Sequence, residues 1–306
     1  MKVIIPTTIT EAMLGAGVTL SEDPTPVWAA GTYAVGDERH VVQTHRVYRC
    51  ALPGTSSVRP DLDVDNRWKD MRPTNKWAPF DNYTSTQAES TTTDIVYPIT
   101  ARFANSVALY GVAGHRYEVT VRELVGGAVI ATRTGRLQDP AVGWWDWLFG
   151  RRRTLSKVII TDLPIRPAAQ ITIAIRASGA VRRAVGMIVI GRIRPFIGRG
   201  AWGGSEFGAS AEPYTYSYID FDEDGQLTIV RKPSATNLRA KLILPRDQAD
   251  NALAMLQEVL DVPVAFIVTQ LPGYGGLSTF GLAAAAPVVY ENDQQASIEF
   301  NIKGIT

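Results

Sequence analysis

The stretch "AQITIAIRASGAVRRAVGMIVIGRI", residues 169–193, decides the fold class of this chain. It holds two runs rich in Ile and Val, separated by a short segment that contains Gly179. The first run alternates polar and apolar residues in part, which is the period of a half-buried strand. Similar runs occur at residues 45–52, 115–124 and 156–163, with glycine and proline mostly between them. Many short strands at close spacing predict a mainly β protein built as a sandwich or a barrel.

One helix interrupts this pattern near the C-terminus. Apolar residues at helical spacing within residues 245–263 predict one buried face. The residues of this face are Ala249, Ala252, Leu253, Leu256, Val259 and Leu260. We expect Asp247 to cap the helix and Asp250 to lie in its first turn, where a negative charge suits the helix dipole. Asp261 and Pro263 mark its end.

Composition limits the class of protein. The chain has 306 residues, 45% hydrophobic and 20% charged, as in ordinary globular proteins. Its net charge of +1 argues against a molecule that binds nucleic acid through its overall charge. Cys50 is the only cysteine, so no internal disulfide can form. The first residues make a poor signal peptide and no apolar run has the length of a membrane span, so we expect a soluble protein made in the cytoplasm.

The sequence divides into four regions. We predict an N-terminal arm over residues 1–25, a small module over 26–74, a β-sandwich over 75–200 and an α+β domain over 201–306. The glycine-rich residues 198–210 are the predicted link between the last two regions.

The small module contains an ordered set of aromatic residues around a Gly-Asp turn. The candidate carbohydrate-binding residues are Trp28, Tyr33, Tyr48 and Trp68. Their order, W…Y…GD-V…Y…P…W, resembles small carbohydrate-binding modules of the chitin-binding type. The resemblance implies that the four rings stack on sugars, since an exposed ring offers a large contact area at little entropic cost. The alternative is that the rings fill the core of a module this short, as in modules that serve as spacers in large assemblies.

Residues from Asn75 onward carry further features in a fixed order. These are W-x-x-F-D at 77–81, "TDLP" at 161–164, a "G…G…FG" loop ending at Gly208, and D-x-x-G-x-x-T-x-x-R at 222–231. The order resembles tail and baseplate proteins of tailed bacteriophages. The resemblance implies a galactose-binding-like jelly-roll sandwich, followed by an α+β tail-assembly domain with one clear helix.

The stretch "WWDWLFGRRR", residues 144–153, combines aromatic and basic residues. A membrane wedge, a sugar platform, a nucleic-acid clamp and a subunit contact all use such residues. Trp145 and Trp147 would share one face of a strand, and the stretch is too short for an interfacial helix. A place in the sandwich core and a contact with another subunit both stay open, since Trp and Arg are enriched at interface hot spots. The candidate interface residues are Trp144, Trp145, Trp147, Phe149, Arg151, Arg152 and Arg153.

More arginines follow, with few acids between them. They are Arg166, Arg176, Arg182, Arg183, Arg192, Arg194 and Arg199. Arginine suits both bidentate pairing across an interface and binding of phosphate. Because no nucleic-acid-binding pattern occurs, we expect these arginines to pair with acidic residues across an interface and to bind no nucleic acid.

Catalytic and metal-binding motifs are incomplete. Residues 220–225 read D-x-D-x-D-G, the opening of a calcium loop, but its twelfth position is Arg231 where Glu is needed. A hairpin turn is the preferred interpretation, and Asp220, Asp222 and Asp224 are a weak candidate metal site. The three histidines have no metal-ligand spacing. We expect no cofactor and no enzymatic activity.

Together these patterns predict a structural subunit of a bacteriophage tail, at the tail tip or baseplate, located in the virion. Its partners would be copies of itself and other tail proteins, contacted through the N-terminal arm and the region of residues 144–153. The alternative is a receptor-binding protein that recognises a host surface glycan, and a glycan-degrading enzyme is the third hypothesis. We expect no insertion into a membrane.

Overall fold

The computed structural model describes residues 1–138, 143–150, 154–198, 200–221, 225–231, 233–271 and 273–305, apart from the side chains of Asp146, Trp147 and Ile219. The fold is mainly β, as the sequence predicts.

The strands fall into three groups along the chain. The first group is β1 (Lys2–Pro6), β2 (Gly31–Tyr33), β3 (Glu38–Val41), β4 (Arg46–Cys50), β5 (Gly54–Ser56) and β6 (Trp68–Pro73). The second is β7 (Ala88–Ser90), β8 (Ile95–Thr100), β9 (Ser106–Tyr110), β10 (Arg116–Arg122), β11 (Val129–Arg136), β12 (Lys157–Ile160), β13 (Gln170–Arg176), β14 (Arg183–Val185) and β15 (Met187–Pro195). The third is β16 (Gly204–Ser205), β17 (Ser210–Thr215), β18 (Tyr218–Phe221), β19 (Leu227–Val230), β20 (Ser234–Pro245), β21 (Val264–Ile267), β22 (Ser278–Ala285), β23 (Val288–Tyr290) and β24 (Gln295–Gly304). The α-helices are α1 (Trp144–Phe149) and α2 (Ala249–Val259), and 3₁₀ turns cover Glu11–Met13, Pro60–Leu62, Ala78–Phe80 and Arg246–Gln248.

One antiparallel sheet of eleven strands runs through most of the molecule. Its order is β12-β9-β15-β1-β21-β22-β24-β20-β16, with β17 paired to β20 and β23 paired to β24. A second sheet, β11-β10-β13-β8, packs against the end that contains β9 and β15. Tyr97, Leu109 and Ile173 are fully buried between the two sheets. This pair of sheets is the predicted β-sandwich.

The first strand of the chain joins the sandwich to the C-terminal region. β1 pairs with β15, where Ile4 lies opposite Ile193, and with β21, where Ile4 lies opposite Ala265. Val3 and Ile4 are fully buried. Residues 2–6 are therefore a central strand of the chain's own sheet, which corrects the prediction of an arm that reaches neighbouring copies. The apolar run at residues 3–5 becomes a strand because β15 and β21 pair with it on either side and the fold buries Val3 and Ile4.

The large sheet curls back on itself between β12 and β22. The rings of Tyr110 on β9 and Phe280 on β22 have centroids 6.1 Å apart. Four strand-to-strand steps separate β9 from β22, which would be roughly 19 Å in a flat sheet. Lys157 Nζ on β12 donates hydrogen bonds to the carbonyl oxygens of Gly275 (2.7 Å) and Ser278 (2.6 Å). This lysine therefore holds the two ends of the curl together.

Replacing Lys157 with methionine is expected to remove a rise in stability that the parent protein should show between about pH 8 and about pH 10.4. Burial lowers the pKa of Lys157 to about 8, below the ordinary value of about 10.4. The folded protein thus favours the neutral amine more strongly than the unfolded chain does. Stability then increases as the pH climbs from the folded pKa toward the unfolded one.

Thermal denaturation over this pH range measures the effect of Lys157. Lys303→Met is the matched control, because it removes an exposed lysine from β24 and should leave the rise intact. A Lys157→Met protein whose melting temperature still climbs as steeply as that of the parent would contradict the assignment.

α2 confirms the predicted helix and packs on the far end of the large sheet. Its buried residues are Ala249, Ala252, Met255, Leu256 and Val259. Leu253 and Leu260 were predicted to be buried but are exposed, because they lie at the edge of the apolar stripe and Met255 fills the core on its other side. Asp250 occupies the first turn, as predicted. Asp247 is not the cap, since it lies within the 3₁₀ turn that precedes α2.

The small module forms a sheet β3-β4-β6 and a pair β2-β5 around a core of its own. This core consists of Tyr33, Val41, Tyr48, Cys50 and Trp68, with Trp28 packed against it.

Candidate interaction surfaces

Residues 144–149 form a helix and not the predicted strand. The exposed fraction is 68% for Trp144, 62% for Trp145 and 68% for Phe149, so these rings lie on the surface and not in the sandwich core. The ring of Trp145 lies 5.2 Å from that of Trp144 and 4.6 Å from that of Phe149, between centroids. The four-residue spacing of Trp145 and Phe149 brings them together on one helix face. We call Trp144, Trp145, Leu148 and Phe149 the α1 surface.

Other members of the predicted cluster cannot be placed. The side chain of Trp147 and residues Arg151, Arg152 and Arg153 lie outside the described residues.

A second exposed apolar surface lies on the hairpin formed by β18 and β19. The strands pair antiparallel, with Phe221 opposite Leu227, which confirms the predicted hairpin. Their exposed apolar side chains are Tyr218, Phe221, Leu227, Ile229 and Val230. Among the described residues these strands pair only with each other, and a two-stranded hairpin is marginally stable alone in water. We call this element the β18–β19 hairpin.

The base of this hairpin adds aromatic rings that the sequence analysis did not single out. Tyr214 and Tyr216 are exposed, and their ring centroids lie 5.1 Å apart. The signal was present in the two-residue spacing of Tyr214, Tyr216 and Tyr218. It was missed because alternation of this kind also describes a strand whose one face lies in a core.

The four rings of the small module do not form an open platform. The exposed fractions of Tyr33, Tyr48 and Trp68 are 8%, 7% and 7%. Trp68 Nε1 donates a hydrogen bond to Ser56 Oγ (3.1 Å), and its ring meets that of Tyr33 edge-on. Stacking on a sugar needs an open ring face, so Tyr33, Tyr48 and Trp68 are corrected from sugar contacts to core residues. A module this small needs its largest side chains for packing, and Trp28 is half-buried against the same core.

Most of the predicted interface arginines form ion pairs within the chain. The pairs are Arg176 with Asp94 and Glu118, Arg182 with Glu89, Arg183 with Asp94, and Arg194 with Glu258. Their acidic partners are therefore their own neighbours in the fold. Arg192 makes no ion pair within the part of the chain that the structure describes, and Arg199 lies outside it.

The weak metal candidate has one described member. Asp220 accepts a hydrogen bond from the hydroxyl of Tyr218 (2.8 Å), whereas Asp222 and Asp224 lie outside the described residues. Within the described ranges, no three His, Cys, Asp or Glu side chains are grouped as metal ligands would be. No helix in those ranges has the length and apolar character needed to cross a membrane.

Comparisons with known proteins do not place the chain in a family. No model of a protein family matches it, and no curated protein matches it.

Proposed function

We propose that this protein is a structural subunit of a bacteriophage tail, in the tip or baseplate region. It acts by non-covalent assembly with copies of itself and with other tail proteins, and not by catalysis. The observation that supports this proposal is the exposure of large aromatic and aliphatic side chains on two separate elements, the α1 surface and the β18–β19 hairpin. Extended apolar patches on a single chain mark contacts with partners, and aromatic residues are enriched at the centre of such contacts.

The tail assignment itself is supported by the order of motifs from Trp77 to Arg231, which resembles tail proteins. The burial of the aromatic rings weighs against a glycan receptor, because three of the four candidate rings lie in the core of the small module. We assign this module a spacer role.

The mass of the purified full-length protein in solution tests the assembly role. We expect a multimer, and we expect Trp144→Ser, Trp145→Ser and Phe149→Ser together to raise its dissociation constant by at least about tenfold, because clustered aromatic residues dominate interface energies. The matched control is Val64→Ser, which alters a highly exposed apolar residue of the small module.

Two results would overturn parts of this proposal. A parent protein that stays monomeric at high micromolar concentration removes the assembly role. Tails purified from a phage that encodes this chain, if they lack its peptides by mass spectrometry, remove the tail assignment even where the protein forms multimers.

A further inference from the structure

Phe103 is an exposed aromatic residue held in a conformation that bulky residues avoid. Its φ is 56°, in the left-handed region, where the Cβ atom crowds the backbone carbonyl oxygen. Its N–H donates a hydrogen bond to the carbonyl oxygen of Arg166 (3.0 Å). Ala101 and Ala104, on either side, are buried in the core of the sandwich. The fold therefore keeps a strained residue at the surface, and such strain is typical of sites that bind or react.

Basic and apolar side chains surround this ring. Ile165, in the neighbouring loop, is exposed, as are Arg102 and Arg166. The guanidinium of Arg102 lies 5.9 Å from the centroid of the Phe103 ring. Neither arginine forms an ion pair within the described residues, since Asp162, the carboxylate of that loop, pairs with an arginine of β11 (2.6 Å). We call Arg102, Phe103, Ile165 and Arg166 the Phe103 platform, and its partner should offer apolar side chains beside carboxylates.

α2 presents such a surface on its outer side. Leu253 and Leu260 are exposed, although helical spacing predicted them to be buried. They lie seven residues apart, so they share one side of the helix. Exposed acidic residues lie next to them, Asp250 three residues before Leu253 and Asp261 directly after Leu260. We call Asp250, Leu253, Gln257, Leu260 and Asp261 the α2 outer face.

The α2 outer face carries negative charge. Asp250 accepts a hydrogen bond from the neutral hydroxyl of Tyr290 (2.9 Å), and Asp261 forms no ion pair within the described ranges. Arg246 is the only basic residue between positions 246 and 261, and it pairs with Asp293 (3.4 Å). The face and the platform are therefore complementary in charge, and each offers two exposed apolar side chains.

The two surfaces of one chain point in different directions. On α2, Asn251 and Glu258 line a cleft beside β15, and Glu258 pairs with Arg194 of that strand. Leu253 and Leu260 each follow one of these residues by two positions, which places them roughly 160° away around the helix. The leucines therefore face away from the sandwich, whereas the Phe103 platform is fixed to it by buried neighbours. The occupant that brings both surfaces together is a second copy.

We propose that the Phe103 platform of one copy binds the α2 outer face of a second copy. This inference rests on the proposed assembly role and names one contact that builds it. Because the platform and the face are different surfaces, the contact is heterologous, and each copy can use both at the same time. Repetition of such a contact produces a ring where the rotation closes and a filament where it does not.

Charge reversal in the full-length protein tests this pairing. Arg102→Glu with Arg166→Glu reverses the platform. Gln257→Lys with Asp261→Lys reverses the α2 outer face near the helix C-terminus, where lysines suit the helix dipole. Each pair of substitutions is expected to weaken self-association at least about tenfold, because like charges then oppose each other. A chain that carries all four substitutions should associate to within about threefold of the parent, because the charges are complementary again.

Phe103→Gly separates a binding role of the ring from a structural one. We expect at least about a tenfold loss of self-association, because aromatic anchors dominate contact energies. The melting temperature should stay within about 2 °C of the parent value, because glycine adopts the left-handed conformation without strain and this offsets the lost packing of a half-exposed ring. Phe103→Tyr keeps the ring and should associate as the parent does. A large fall in the melting temperature of Phe103→Gly would mark a structural residue and remove the ring from the contact.

Matched controls are Arg239→Glu, an exposed arginine of β20, and Phe207→Ser, an exposed ring outside both surfaces. Sedimentation velocity measures the dissociation constant of every variant, and circular dichroism reports its fold. If both reversed variants associate like the parent, this contact is overturned while the assembly role stands. If the chain with four substitutions stays as weak as the two reversed variants, the platform and the face are not partners. A parent that is itself monomeric removes this inference together with the proposed function.

Discussion

Replacing Gly191 with alanine is expected to lower the free energy of unfolding by about 3 kcal/mol, at the upper end of what overpacking costs. Gly191 lies on β15, opposite Pro6 of β1 and Ser106 of β9. A Cβ atom at this position would overlap the carbonyl oxygen of Ile5 and would lie 2.9 Å from its carbonyl carbon. These are backbone atoms of a central strand, so no side chain can rotate to relieve the overlap.

The cost of this substitution should spread beyond one contact. The carbonyl oxygen of Gly191 accepts hydrogen bonds from the backbone N–H of Asn105 (3.1 Å) and from Ser106 Oγ (2.8 Å). A shift of β15 that makes room for the methyl group disturbs both bonds as well as the pairing with β1. Because β1 is the strand that joins the sandwich to the C-terminal region, both regions should lose stability together.

Urea denaturation measures the loss, and Gly204→Ala is its control. Gly204 also lies on a strand, β16, but a Cβ atom there meets nothing within 4 Å. The control should stay within about 0.5 kcal/mol of the parent, as surface substitutions usually do. Equal unfolding midpoints for the two alanine variants would show that β1 does not hold β15 as closely as the structure indicates.

Elements governed by neighbouring residues were predicted well from the sequence. Helical spacing of Ala249, Ala252, Leu256 and Val259 indicated α2, and the D-x-D-x-D-G turn indicated the β18–β19 hairpin. In both cases the pattern is complete within about a dozen residues, so local propensity and burial agree.

Long-range pairing could not be predicted in the same way. Residues 2–6 pair with residues 191–195 and 265–267. The sequence of a short apolar run does not specify which distant strand it will pair with. The six residues of α1 are too few for helical periodicity to show, so the two-residue spacing of Trp145 and Trp147 favoured a strand.

Which aromatic side chains are buried and which are exposed could not be predicted from the sequence either. Trp68 and Trp144 are the same residue type, yet the first is buried and the second is exposed. The difference arises from the surroundings: Trp68 lies on a strand of a small module that has few other large side chains to fill its core. Trp144 lies on a short helix, where its exposed ring contacts that of Trp145. Whether a ring belongs to a core or to an exposed surface therefore depends on the packing of the whole fold and not on its residue type.

Replacing Asp23 with asparagine is expected to lower the free energy of unfolding by about 2 kcal/mol, less than for a fully buried ion pair because Arg72 is partly exposed. The side chain of Asp23 is fully buried, whereas that of Arg72 is 39% exposed. Asp23 accepts hydrogen bonds from Arg72 (2.7 Å), from the backbone N–H and hydroxyl of Thr25 (2.9 and 2.8 Å), and from the backbone N–H of Asn75 (2.9 Å). Thr25 lies where the chain enters the small module, and Arg72 and Asn75 lie where it leaves. Asp23 therefore stabilises both connections between the module and the rest of the chain.

The same carboxylate should give the protein a characteristic response to acid. Burial alone would raise the pKa of Asp23, but hydrogen bonds from Arg72, Thr25 and Asn75 outweigh it and hold the pKa below its usual value. Its contribution is therefore complete above the unfolded pKa of about 3.9 and is lost as the pH falls through the lower folded pKa. The difference in stability between the parent and Asp23→Asn should accordingly be constant near neutral pH and shrink in acid.

Denaturation midpoints at a series of pH values, together with hydrogen exchange of the Asn75 amide, separate this role from general packing. Asp70→Asn is the control, because Asp70 pairs with Arg46 at an exposed position where an ion pair contributes little. We expect the Asn75 amide to exchange faster in Asp23→Asn and unchanged in Asp70→Asn. If the two variants behave alike, the small module is held by its apolar contacts with the sandwich, such as the stack of His45 on Trp77 at 4.2 Å between centroids, and not by the buried carboxylate. In that case acid would not weaken the attachment of the small module to the sandwich.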